Sequence, residues 1–459
     1  MPDLFNFRIK PNTSPVNSDT PSLKRIWEIA WPIMISLLAQ NIVGVTDTAF
    51  LGRVSEVALG GSAIGGLFYI ILFMIGNGFV TGVQILIARR FGEKNFGEIG
   101  RIFDNSFYFL AVTSIVVTVF IYFLGSVILK PIVSSTAIFE AASTYLQYRV
   151  FGLFFAMIGL LYRSFYTGIT YTRYLSISSA IMAVVNIVLD YLLIFGKAGF
   201  PEMGLTGAAI ASAISEAVAL VFFIIATNRS ERVKPYGLFR FLKPDPAIIR
   251  NTLGISIFVM IQFVLSLGIW FVFFLIIEKM GERPLAVSNI ARSVYMFLMI
   301  PGWALCSVTN TLVSNAIGEG KPGQVLPVTY KIMRFSVVML LAVVSVAAFL
   351  PVPILGIFTN DAGLIKAAIP TFYIVLVALF FFSLVSVLFN AVLGTANTSV
   401  SLFIEIITLT FYVGYTWLMA IRLHQPVEVA WTAEWVYALF VGVLSFVYLK
   451  YGKWRQKVV

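Results

Sequence analysis

Twelve stretches of predominantly apolar residues recur along the chain, at roughly 26–51, 57–86, 102–127, 140–165, 175–196, 204–227, 252–278, 285–315, 332–358, 364–393, 400–422 and 428–449. Crossing bilayer hydrocarbon as a helix takes about 20 such residues, so each stretch predicts one membrane-spanning helix. A transmembrane β-barrel would show short strands of alternating polarity instead. The longest internal polar segment, Thr227 to Asn251, holds Pro235, Pro244, Pro246 and eight charges and reads as a linker. The predicted organisation is a tail over 1–25, a six-helix lobe over 26–227, a linker over 228–251, a second six-helix lobe over 252–449 and a tail over 450–459.

The halves also resemble each other at an offset of 226 residues. Leu59-Gly-Gly-Ser-Ala-Ile64 answers to Leu285-Ala-Val-Ser-Asn-Ile290, Gly92-Glu-Lys-Asn-Phe-Gly97 to Gly318-Glu-Gly-Lys-Pro-Gly323, and Gly168-Ile-Thr-Tyr-Thr172 to Gly394-Thr-Ala-Asn-Thr398. One shared offset at three places marks an internal repeat. A unit of six spans is even, so the two copies enter the membrane in the same direction, as parallel repeats about an axis along the membrane normal.

Composition agrees with this class: 59% of residues are hydrophobic and only 12% charged, with mean hydropathy +0.93. The net charge of +11 could suggest a polyanionic partner, but its distribution decides otherwise. With the amino terminus inside, 23 of the 32 Lys and Arg fall on the inner side and seven on the outer, while Arg149 and Arg292 lie within spans. Both termini are therefore expected in the cytoplasm, and nucleic acid is not an expected partner. The first 22 residues, with Pro2, Pro11, Pro15 and Pro21 and no apolar core, are expected to form a cytoplasmic tail rather than a cleaved signal. The single Cys306 excludes an intramolecular disulfide or a cysteine metal cluster, and the lone His424 sits in a short loop.

Against this apolar background two acids stand out, Asp47 near the outer end of the first span and Asp190 near the outer end of the fifth. A carboxylate at such depth costs at least a few kcal/mol and normally faces a bundle interior and a partner. Both spans run outward, and counting back at 1.5 Å per residue puts both acids roughly 7–9 Å inside their helix ends, level with each other. Asn186, four residues before Asp190, shares its helix face; Gln40, seven before Asp47, faces much the same way two turns deeper. Carboxylate and amide oxygens suit Na⁺, and a carboxyl pair also suits a proton, so the residues leave the ion open. Asn186 and Gln40 read equally as hydrogen-bonding glue between helices. The competing reading for either aspartate is a static ion pair with Arg149. Glu28 and Glu278 are terminal, and Glu216, Glu405 and Glu434 read as single acids without a polar cluster.

Trp31-Pro32 opening the first span, Asp47-Thr-Ala-Phe-Leu-Gly52 closing it, Ala58-Leu-Gly-Gly61, Gly92-Glu-Lys-Asn95, Gly168-Ile-Thr-Tyr-Thr172, Asn186-Ile-Val-Leu-Asp190 and Gly207-Ala-Ala-Ile-Ala-Ser212, in this order, resemble the multidrug and toxic compound extrusion (MATE) transporters. The likeness covers nearly the whole chain beyond the tail. It implies a V-shaped all-α membrane protein in the bacterial cytoplasmic membrane; nothing in the sequence suggests an obligate partner, and a monomer without a cofactor is expected. Its expected activity is antiport of small amphipathic, often cationic compounds against H⁺ or Na⁺ by alternating access. The closest pattern is the DinF-type branch, which implies cation coupling at Asp47, Asn186 and Asp190 and a supporting network of Gln40, Tyr145 and Ser212. Pro32, with Gly44, is the hinge at which the first span would bend. The other large branch has acids in spans seven and ten, but Ile255–Ile277 and Thr371–Leu393 contain none, and the repeat sets Phe273 opposite Asp47 and Thr416 opposite Asp190.

Three other classes compete with a transporter. An intramembrane enzyme is disfavoured: the spans lack a His or Cys nucleophile–base spacing and the aspartyl membrane-protease motifs. A flippase for lipid-linked substrates would need several mid-membrane cations for pyrophosphate, where only Arg149 and Arg292 qualify. A channel fits poorly with a lobe repeat carrying an acid site on one side only.

Overall fold

The computed structural model describes residues 20–240 and 243–456, so most of the amino-terminal tail, including Pro2, Pro11 and Pro15, lies outside the described residues. The first bundle comprises α1 (Leu23–Val54), α2 (Glu56–Gly92), α3 (Phe96–Leu129), α4 (Thr136–Arg149), α5 (Gly152–Gly168), α6 (Arg173–Ile194) and α7 (Gly204–Arg229). The second comprises α8 (Pro246–Glu278), α9 (Glu282–Leu298), α10 (Ile300–Gly318), α11 (Val325–Ala348), the short α12 (Pro351–Gly356), α13 (Ala362–Gly394), α14 (Thr398–Trp417), the short α15 (Val427–Trp431) and α16 (Ala433–Tyr451). Among the described residues ten helical segments are long and apolar enough to cross a membrane, and two bent pairs bring the number to twelve.

Local chemistry sets several helix starts. Ser22, Ser55 and Ser135 each accept from a backbone N–H in the first turn of the helix that follows. Asp245 does the same for α8, where Pro246 fills the first position that needs no donor, and Asp361 caps α13.

The bent pairs correct the continuous spans expected over 140–165 and 285–315. The fourth span breaks between α4 and α5 with a bend of 52°, directly after Arg149. The eighth breaks between α9 and α10 with a bend of 48°, at Met299. Pro301 explains the second break, since it has no N–H to close the helix across the join and strains the residue before it.

Two apolar cores reveal how the bundles meet. One runs through α1–α7 and continues into Ile255, Leu305, Val308, Leu312 and Ile332 of the second bundle. The other, around Phe273, Phe372, Tyr412 and Trp431, belongs to the second bundle alone. The bundles join at the end that carries the start of α1 and the end of α16. There Gln84 Nε2 donates to Thr311 Oγ1 at 2.9 Å, Ser256 Oγ to the Phe79 carbonyl at 2.9 Å, and Arg89 Nη2 to the Thr395 carbonyl at 3.1 Å. A Cβ on Gly318 would run into the Arg89 carbonyl, so the crossing of α2 and α10 is set by backbone contact.

The linker is folded onto α3. Asp104 accepts from the backbone N–H groups of Phe239 and Arg240 at 2.8 and 3.0 Å, and Asn105 Oδ1 from that of Asp245 at 2.6 Å. Burial pushes the Tyr236 hydroxyl up to about 12, so this linker residue stays neutral.

Candidate functional site

Asp47 on α1 and Asp190 and Asn186 on α6 come together inside the first bundle. Asp190 and Asn186 are 0% exposed and Asp47 is half-buried. The two carboxyls face each other across the Asn186 amide, and Asp190 Oδ1 has no hydrogen-bond partner. The Asn186 amide spans the pair, its nitrogen donating to Asp190 Oδ2 at 3.2 Å and Asp47 Oδ1 at 3.1 Å. That orientation is assigned because carboxylate oxygens can only accept. The amide oxygen then faces the Ser212 hydroxyl of α7 at 3.5 Å. One amide thus ties three helices to one acid pair.

Two ionised carboxylates facing each other repel by several kcal/mol even at an effective dielectric of about 20. Ionised together, the pair is compensated by one positive charge, a shared proton or a small cation.

The other expected members divide. Tyr145 of α4 is buried and interacts electrostatically with both aspartates. It reaches this place because Gly65 of α2 lets α4 close in; a Cβ there would meet Tyr145 Cδ1 at 2.8 Å. Gln40 does not join the carboxyls: its Nε2 donates to the Ser36 carbonyl at 2.9 Å, one turn back on its own helix. Ser36 in turn pairs with Ser179 of α6 at 2.6 Å, so that level of α1–α6 is a hydroxyl bridge. Pro32 lies inside an unbroken α1, and Thr172 Oγ1 donates at 2.9 Å to the Ile29 carbonyl nearby.

Arg149 pairs with neither aspartate. Its guanidinium forks onto Glu216 of α7, with Nη2–Oε1 at 2.5 Å and Nη1–Oε2 at 2.9 Å, and its Cζ lies 3.6 Å from the Tyr69 ring centroid. Tyr69 donates to both Glu216 oxygens at 3.1 Å. Gly152 is the space for this pair, because a Cβ there would collide with Arg149 Nη1 and Glu216 Oε2. The reading of Glu216 as an acid without polar company is thereby corrected. The missed signal is its spacing from Ser212, i to i+4 on one face of α7.

Glu405 and Glu434 need the same correction. Glu405 accepts from Ser266 at 2.6 Å and from Tyr437 at 3.1 and 3.2 Å; Glu434 accepts from Tyr412 at 3.0 Å.

A sequence model of the family described as MatE matches residues 32–192 and again 258–418. The chain belongs to the MATE family of transporters. The two matches begin 226 residues apart, the interval of the internal repeat. Among curated relatives, the probable multidrug resistance protein NorM of Thermotoga maritima is 26% identical over 440 residues, covering 95% of this chain and 94% of that protein. That of Mannheimia succiniciproducens is 24% identical over 346 residues, covering 74% and 73%. An outward-facing structure of a multidrug resistance MATE family transporter superposes with TM-score 0.86 at 17% identity, covering 93% of this chain and 95% of that one. A mutant of the Vibrio cholerae MATE transporter VcmN gives 0.85 at 15%, covering 93% and 96%. MATE architecture accounts for the twelve spans in two bundles, and the protein is integral to a membrane.

Proposed function

We propose that this MATE transporter is a DinF-type antiporter that exports small amphipathic, often cationic organic compounds in exchange for H⁺ or Na⁺ taken up at Asp47, Asp190 and Asn186. The observation that carries this reading is the pair of facing carboxyls bridged by one amide. With the cation bound, Asp47 and Asp190 stay together and α1 packs on α6. Without it, repulsion between two ionised carboxylates drives the outer part of α1 away from α6. Alternation requires the ion and the substrate to bind the two states differently, and a helix whose packing depends on ion occupancy supplies that difference. Pro32, which breaks the backbone ladder of α1 below the site, and Gly44, with open space beside it, give α1 room to bend.

With both termini cytoplasmic, the bundle contact at the terminal end closes the inner side, and the conformation described is outward-open. The basic loops support this orientation in a bacterial cytoplasmic membrane, with the transporter working as a monomer. The multidrug names of the NorM relatives support the substrate class.

The test is efflux from proteoliposomes by wild type, Asp47→Asn and Asp190→Asn under an imposed pH gradient and, separately, an imposed Na⁺ gradient. Wild type should move a cationic dye against one gradient and both variants should not. Efflux that needs neither gradient, or survives both substitutions, would remove the aspartates from coupling.

A further inference from the structure

Glu405 on α14 and Glu434 on α16 are 1% and 9% exposed inside the second bundle. Neither has a Lys, Arg or His at ion-pair distance among the described residues. Hydroxyls take the place of cations. Ser266 of α8 and Tyr437 of α16 donate to Glu405, while Tyr412 of α14 donates to Glu434 and Tyr295 of α9 lies 3.5 Å from its Oε2. The exchange is reciprocal: each of α14 and α16 supplies a glutamate and, for the other helix's glutamate, a tyrosine. The Tyr412 and Tyr437 rings stand 6.3 Å apart between them.

The repeat identifies the place. Shifting by 226 residues carries α1, α2, α6 and α7, which build and flank the aspartate site, onto α8, α9, α14 and α16. In detail, Gln40 answers to Ser266, Tyr69 to Tyr295, Asn186 to Tyr412, Ser179 to Glu405 and Ala208 to Glu434. The aspartates have no acidic counterpart at their own positions, but acids reappear on two of the equivalent helices.

The chemistry limits the ligand to something very small. Phe273, Tyr412 and Trp431, each at most 2% exposed, seal the region against an organic molecule. Gln262 adds an independent indication. It is 4% exposed, one turn before Ser266 on the same face of α8, and its Oε1 has no donor.

We propose that Glu405 and Glu434 form a second proton-binding unit, in the second bundle, that loads and unloads separately from Asp47 and Asp190. The titratable groups facing it are Tyr295 from α9, Tyr412 from α14 and Tyr437 from α16, with Cys306 of α10 next to Tyr295 and the Trp270 indole of α8 beside Glu434. Arg292 of α9 is engaged on the Phe274 ring, 5.0 Å from its centroid. On α13, Tyr373 donates to the Ala348 carbonyl and Lys366 is exposed in an early turn; α15 carries Glu428 in its first turn. The role of the unit in transport rests on the antiport reading above; its proton binding does not.

Infrared difference spectra between acid and alkaline pH read the carboxyl C=O stretch of purified protein in lipid nanodiscs directly. In the Asp47→Asn/Asp190→Asn background the exposed carboxyls titrate as a constant background, and adding Glu405→Gln and Glu434→Gln, singly and together, should remove a further part of the carboxyl signal stepwise. Glutamine keeps the shape and most of the hydrogen bonds, and elution as a single species on size exclusion confirms that each variant is folded. A difference spectrum that both glutamine substitutions leave unchanged would overturn the proposal. In proteoliposomes the glutamine variants should move about half as many protons per substrate as wild type; an unchanged ratio would overturn the unit's part in the cycle. Transport driven by Na⁺ alone would instead defeat the proton form of the antiport reading, and the infrared result would stand apart from it.

Discussion

Glu216→Gln tests whether the Arg149–Glu216 fork holds the first bundle together around the acid site. Both side chains are largely withdrawn from solvent, at 10% and 14% exposed, and the fork is bidentate at 2.5 and 2.9 Å. Removing one partner of such a pair leaves a buried charge without compensation, at a cost of about 3–5 kcal/mol. Glutamine retains one acceptor for Arg149 and one for Tyr69, which favours the lower end. Replacing both partners together, Arg149→Met with Glu216→Leu, removes the charge as well and should recover most of the loss. A double-mutant cycle of Arg149→Met, Glu216→Leu and the two together on the purified protein, with unfolding in a detergent titration followed by circular dichroism, should therefore give a coupling energy of about 2–3 kcal/mol. A Glu216→Gln cost below about 1 kcal/mol, or additive single effects, would refute the reasoning.

Asn186→Leu should abolish gradient-driven efflux, because it removes the donor common to both carboxyls, while Asn186→Ser with a bound water should retain part of it; equal activity in the two would count against bridging by the amide. Pro32→Ala restores a backbone donor inside α1 and should raise stability while slowing turnover, measured as efflux rate at saturating substrate; an unchanged rate would remove Pro32 as the hinge. Gly318→Ala places a Cβ against the Arg89 carbonyl and should loosen the contact between α2 and α10. Spin labels on the terminal ends of those helices should then show a longer or broader distance distribution, and an identical distribution would mean that this crossing is not set by backbone contact.

Much of the fold was legible because bilayer length and the 226-residue repeat are both periodic signals that one sequence carries alone. The breaks in spans four and eight were missed because hydropathy averaged over a whole span runs through them, although Pro301 stands as a visible breaker two residues after Met299. In the site, Asn186 and Asp190 could be read from their i to i+4 spacing, and Asp47 from its level on a helix running the same way. The partner of Arg149 could not be read so directly: Glu216 is 67 residues away on a helix whose rotation only packing decides. Gln40 shows the converse error, because a shared helix face does not stop an amide from turning back to its own backbone. Glu405 and Glu434 looked isolated because their donors, Ser266, Tyr437, Tyr412 and Tyr295, are spread over four helices and give no local pattern.

The most direct test of the central claim separates coupling from substrate binding. Exchange of labelled for unlabelled substrate across proteoliposomes without any ion gradient requires binding and alternation, whereas gradient-driven accumulation also requires the acid pair to release its cation. Measured side by side, Asp190→Asn should keep exchange within about threefold of wild type, a shift below 1 kcal/mol, and lose accumulation. Accumulation that persists in Asp190→Asn, or exchange lost together with it, would contradict the account.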